Sequence, residues 1–180
     1  MCKENMKIND QIHKWLEDTV IGLNLCPFAK EPFDTKQIYF RLSSSRNFKN
    51  AFEDFVQELT KLNNSIKFKT TLITYENLEC DFEQFNNFCG LLEESLKENH
   101  LDTIFQIVCF HPQFKFEGVD FSDKANYVNR SPAPIVHILK KQDMDAATIH
   151  LQSGENISYI NEKTIKSLSE KQLKKYFWYL

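Results

Sequence analysis

The 180 residues are 42% hydrophobic and 26% charged, enough apolar material for one domain with a sizeable core. The formal charge of −3, from 22 basic and 25 acidic residues, argues against a nucleic-acid partner, whose phosphates need a basic face. No apolar run approaches the roughly 20 residues that cross a bilayer, and MCKENMKINDQ carries charge without a hydrophobic stretch, so neither a membrane span nor a secretory signal is expected.

Residues 1–6 are expected to be disordered, and 7–180 to form one α/β domain. The first helix starts near Asn9 or Asp10 and runs to about Ile21, with Ile12, Trp15, Leu16, Thr19, Val20 and Leu23 on its buried face. Gly22 is placed to stop it in a left-handed C-cap. The apolar turn GLNLCPFAKEPF follows, then a strand at 37–42 (QIYFRL) and a second helix marked by Phe48, Phe52, Phe55, Val56, Leu59 and Leu62. A second strand spans roughly 67–74. Asp81 and Gln84 have capping-box spacing for a third helix, whose face is Phe82, Phe85, Cys89, Leu92 and Leu96.

Residues 103–110, TIFQIVCF, are the most apolar strand and the expected centre of the sheet. The order so far is αβαβαβ, which predicts right-handed crossovers between parallel strands. A long turn follows, and Ser131 with Pro132 has the signature of a helix start. A short helical turn at 143–150, a helix from Ser158 to Leu168 and a last one with capping-box spacing at Ser169 and Gln172 complete the chain. The resulting fold class is α/β: a compact domain with a short, mainly parallel sheet of at least three strands, crossover helices and a helical C-terminal region. A ferredoxin-like mixed sheet is the alternative if a strand hides in 113–121. The ending KKYFWYL is too aromatic to stand free; it docks on the body or forms a homo-oligomer contact.

Five cysteines, Cys2, Cys26, Cys80, Cys89 and Cys109, form no CxxC pair. They do not read as a disulfide framework, so a reducing cytoplasm is the expected location. The chemistry concentrates in 110–139, FHPQFKFEGVDFSDKANYVNRSPAPIVHIL, which holds three of the five prolines and two of the five histidines. Loops on a rigid scaffold are where binding and catalysis gather. His111 follows the third strand directly, and ligands of parallel α/β sheets sit beyond the carboxyl ends of strands.

Cys26 is open to three readings: a buried apolar residue, a nucleophile, or a metal ligand. His111 either satisfies a strand end or serves as base or ligand, and His137 is a core histidine or a functional one. Together Cys26, His111 and His137 are a donor set that zinc or iron accepts, although their long, irregular spacing is a weak signal. Arg130 and Ser131 stand before the expected helix start and suit a small anion, with Asn126 and Asn129 as further substrate contacts. Otherwise Arg130 pairs with Glu117, Asp120 or Asp123 and locks the turn. The leading functional expectation is an enzyme acting on a small anionic metabolite through a Cys/His site, metal-assisted or thiol-based. The alternative is a non-catalytic ligand-binding or interaction module in which FHP and NRSP are structural clamps.

Three segments, GLNLCPFA at 22–29, FHPQFKFEG at 110–118 and ANYVNRSPAPIVHIL at 125–139, resemble a bacterial and plastid family known as domain of unknown function 1415. The likeness extends from the first helix to about Leu168. The chain departs from the family pattern at Phe114, where tyrosine is common, and at Lys140–Lys141, where an Arg–Glu pair often stands. The family has no established activity, so the resemblance implies which motifs matter without implying catalytic residues.

Overall fold

The computed structural model describes residues 6–143 and 157–180. Helix α1 (Ile8–Trp15) continues into a π-helical segment, Leu16–Ile21, before the short helix α2 (Lys30–Asp34). Two long helices follow local caps. Asn47 accepts from the Asn50 N–H to start α3 (Phe48–Asn64), and the reciprocal Asp81–Gln84 capping box starts α4 (Phe82–Glu98). Near the C-terminus lie α5 (Ile157–Ser167) and α6 (Glu170–Tyr176), the second begun by the Ser169–Gln172 box.

The strands are β1 (Ile38–Leu42), β2 (Thr70–Thr74), β3 (Phe105–Phe110) and β4 (Ile135–Lys140), in the order β1-β2-β4-β3. β1 and β2 are parallel, whereas β4 is antiparallel to both of its neighbours. The domain is therefore a compact α/β unit with a mixed four-stranded sheet, crossover helices and a helical C-terminal region.

The reversed strand corrects two expectations. Ser131 and Pro132 do not begin a helix. The run IVHIL is β-branched and pairs on both sides, with β2 and β3. Its insertion pushes β3 to an edge, so the most apolar strand is not central; Gln106 on it is exposed. The added strand is 135–140 and not the 113–121 segment.

Strand alternation gives the sheet two distinct faces. Ile73, Ile107, Val136 and Ile138 pack under α3 and α4 against Phe55, Leu59, Phe85, Phe88 and Leu92. The opposite face presents Leu72 and Ile135 to Ile12, Trp15, Leu16 and Val20 of the N-terminal helix. Val56, expected on the buried face of α3, is instead exposed.

The π-helical segment is shaped around Gly22, whose N–H bonds the Glu17 carbonyl five residues back at 3.0 Å. Gly22 has φ −61°, so it is not the expected left-handed cap. A Cβ there would lie 2.1 Å from the Asp18 carbonyl oxygen, so the close backbone approach is what calls for glycine. The left-handed residue of this turn is Asn24, at φ 52°.

A further correction concerns the cysteines. Cys89 of α4 and Cys109 of β3 are joined as a disulfide, with Cα atoms 6.6 Å apart. Cys26 and Cys80 are free thiols. The expected short helix at 143–150 falls, from residue 144 on, outside the described residues, as do residues 1–5 of the expected disordered start; Met6 is described, and its carbonyl accepts from Gln11 Nε2 at 2.9 Å. Among the described residues, no helix is long and apolar enough to cross a membrane.

Candidate functional site

The three sequence motifs fold into two neighbouring constructions: a clamp around Arg130 and a cavity above the sheet. In the clamp, Arg130 is only 6% exposed. Its guanidinium donates to the Phe121 carbonyl at 2.8 Å and the Phe114 carbonyl at 3.4 Å, and lies over the rings of Phe121 and Tyr127 at 4.7 and 4.3 Å. Burial lowers its pKa, opposed by the neighbouring Tyr127 hydroxyl. The charge is thus held by carbonyl oxygens and ring faces, which favour a cation. Neither Glu117, Asp120 nor Asp123 pairs with it, contrary to the second expectation for this residue.

The other loop residues complete the clamp. Asn126 is fully buried; its Oδ1 accepts from the Phe116 N–H at 2.9 Å and its Nδ2 donates to the Asp120 carbonyl at 2.7 Å. Asn129 donates to the Cys109 carbonyl at 3.3 Å and accepts from the His111 N–H at 3.2 Å. Ser131 Oγ donates to the Ala133 carbonyl at 2.6 Å. The helix start that would have offered free N–H groups to an anion is absent here, because β4 follows.

The Arg130 carbonyl joins both ends of the chain. It accepts from Trp15 Nε1 at 3.2 Å and from the Tyr179 hydroxyl at 3.0 Å. Phe177 meets Tyr127 edge-on at 4.9 Å and is buried among Leu25, Ile165, Leu168 and Leu173. The aromatic tail therefore docks on the body, one of its two expected fates.

His111 belongs to this construction too. It is 3% exposed and packs against Phe82 and Phe85 of α4, on the α3/α4 side of the sheet. Its Nδ1 accepts from the Gln113 N–H at 3.1 Å, leaving the other ring nitrogen to face the Cys80 carbonyl. Burial pushes its pKa down to about 4, with the Cys80 carbonyl and Asp81 opposing.

Cys26 and His137 come together on the opposite face. Both line a cavity of about 720 Å³ between the sheet, the GLNLCPFA turn and α5. Its floor follows from strand register: Leu72, His137 and Val108 lie side by side across β2, β4 and β3, as do Leu139 and Gln106 in the next row. Trp15, Leu16 and Phe28 supply one wall. Asn161 of α5 holds the turn over the floor by donating to the Leu25 carbonyl at 2.7 Å. A second hollow of about 90 Å³, flanked by Thr70 and Lys69, shares Cys26 and His137 with it.

His137 and Gln106 are the polar residues of this floor. His137 Nε2 contacts Thr70 Oγ1, which itself donates to the Ile138 carbonyl at 2.6 Å. Because the hydroxyl hydrogen is committed there, Thr70 accepts and His137 Nε2 carries the ring hydrogen. That leaves Nδ1 as an acceptor, and among the described residues it has no partner. Burial lowers the His137 pKa to about 4, so the ring is neutral at neutral pH. Cys26 is held protonated as well: burial raises its pKa, outweighing the Phe28 and Ala29 backbone N–H groups that favour a thiolate.

The structure thus brings Cys26 and His137 into one cavity and puts His111 on the other face. Asn129 alone of the expected substrate contacts lines the cavity. Among the described residues, no group of three or more His, Cys, Asp and Glu stands close enough to hold a metal ion, and Cys26, His111 and His137 do not form the ligand set expected for zinc or iron. Thr70, Gln106, Val108 and Asn161 were not among the expected site residues. Their roles depend on register and on contacts with distant segments, for which the local pattern carries no signal.

Compared with known families, the chain matches one described as a protein of unknown function (DUF1415) over residues 7–175, and it belongs to that family. No curated protein and no solved structure matches it. The GLNLCPFA segment builds the cavity wall, and the FHP and NRSP segments build the clamp beside it.

Proposed function

We propose that this member of the DUF1415 family binds a small molecule in the cavity above β2, β4 and β3, with Cys26 and His137 as its central polar contacts. The observation that carries the reading is a hollow of ligand size, lined mainly by apolar side chains, in which the half-buried His137 leaves Nδ1 without a partner among the described residues. An acceptor on a ring that lines a hollow of this size is a natural partner for a donor on a ligand. The clamp gives the cavity a rigid edge, because Asn129 both lines it and bonds β3.

The earlier expectation of an anionic metabolite rested on Arg130 and a helix start at Ser131; in this reading both serve the scaffold instead. Catalysis is the second reading, favoured by the presence of a thiol and a neutral imidazole in the same cavity. A neutral imidazole can accept a proton, whereas the Cys26 thiol would first need a base.

Nile red, an uncharged dye, tests the cavity directly. The native protein is expected to bind it saturably with a rise in fluorescence. Val108→Trp, which puts an indole beside His137, is expected to weaken that binding by about tenfold or more through lost volume. Equal affinity in the two proteins, both folded by circular dichroism, would place the dye elsewhere and contradict the reading.

A further inference from the structure

We propose that the ligand of this cavity is uncharged, with an apolar body and one N–H or O–H donor that meets His137 Nδ1. The inference rests on the cavity being a binding site and adds the class of molecule it takes.

The donor requirement comes from geometry. The Thr70 hydroxyl is spent on the Ile138 carbonyl, which puts the hydrogen of His137 on Nε2 and leaves the lone pair on Nδ1 of a ring that lines the cavity. A ligand that brings only acceptors would set two lone pairs against each other. One that brings a donor completes a chain from ligand to imidazole to Thr70 to backbone. A metal ion would also take the lone pair, but no third ligand stands beside Cys26 and His137 among the described residues.

The lack of charge comes from the walls. Asp123, Glu162 and Lys166 are the charged residues among the described lining, two acids and one base, a balance of −1. Lys166 is already occupied: it pairs with Glu162 at 2.5 Å and with Asp123 at 3.7 Å. An anion entering this space would lose its hydration and meet no free cation from these residues. A cation would find both carboxylates already answered by Lys166. The apolar body is required by Trp15, Phe28, Leu72, Val108 and Leu139, whose surfaces face the same volume.

Three matched probes separate these requirements by isothermal titration at pH 7: 1-naphthol, 1-methoxynaphthalene and 1-naphthoate. The native protein is expected to bind naphthol about tenfold more tightly than its methyl ether, the value of one hydrogen bond to a buried acceptor, and naphthoate most weakly. In His137→Leu the naphthol preference is expected to vanish while the ether still binds. Should that variant fail to fold, Thr70→Val serves instead; it releases the tautomer and should cut the preference by about half or more.

Equal binding of naphthol and its ether to native protein would overturn the donor requirement, and naphthoate as the tightest probe would overturn the neutral one. A preference unchanged in His137→Leu, or in Thr70→Val if that variant is needed, would overturn the role of His137. Failure of all three probes to bind would overturn the proposal together with the cavity reading, whereas binding without the expected ranking would overturn the ligand class alone.

Discussion

Arg130→Ala is expected to lose about 3–5 kcal/mol of stability, a large part of what a domain of this size has, through two charge-assisted hydrogen bonds and two cation–ring contacts. The side chain ties the Phe114 and Phe121 carbonyls to Tyr127, so its loss releases the whole 114–127 loop. Arg130→Lys should recover less than half, since an ammonium is not planar and cannot fork to two carbonyls while lying on two rings. Urea denaturation of the three proteins measures this. If Arg130 instead held an anionic ligand, Arg130→Ala would fold as stably as the native protein and lose only binding.

Trp15→Ala is the second large effect, also about 3–5 kcal/mol, the usual cost of truncating a buried aromatic to alanine. Trp15 is 1% exposed, meets Phe110 edge-on at 5.2 Å and donates to the Arg130 carbonyl. Trp15→Phe keeps most of the packing and loses the bond, so about 1 kcal/mol is expected to remain as its cost. Denaturation followed by circular dichroism distinguishes the two. Nearly equal losses in both variants would mean that the hydrogen bond, and not the packing, dominates. A loss below about 1 kcal/mol in Trp15→Ala would remove the N-terminal helix from the account of how the clamp is held.

These two residues also mark where local reading of the chain succeeds and where it stops. The capping boxes at Asp81–Gln84 and Ser169–Gln172 form as their spacing predicts, because each needs only its own turn. The Ser131-Pro132 signature misleads for the opposite reason. Its serine bonds forward to Ala133, Pro134 offers its carbonyl to the Tyr75 N–H at 2.9 Å, and the following IVHIL finds strands on both sides. Tertiary pairing outweighs the local start signal. β3 looks central on hydrophobicity alone, yet its place is set by β4, which comes later in the chain.

The site shows the same division. Cys26 and His137 are legible as residues of interest, but the partner that gives His137 its chemistry, Thr70, stands 67 residues away. His111 and Arg130 draw attention through unusual sequence surroundings, and those surroundings prove to be the parts of a clamp: Phe82 and Phe85 around one, carbonyls and rings around the other. The Cys89–Cys109 pair carries no motif, because α4 packing on β3 is what brings it together.

A long-range ¹⁵N–¹H correlation spectrum of the histidine imidazoles, recorded from pH 7 down to pH 4 with His137→Gln to assign the signal, reads the tautomer of His137 directly. His137 is expected to be neutral at pH 7 with its hydrogen on Nε2, and to resist protonation until about pH 4. Its folded pKa lies below the ordinary histidine value, so the unfolded chain binds the proton first and acidification from about 6.5 toward 4 costs stability. A hydrogen on Nδ1 would close that lone pair to a ligand donor, and titration near the ordinary histidine value would mean a ring open to water; either result would contradict the binding reading.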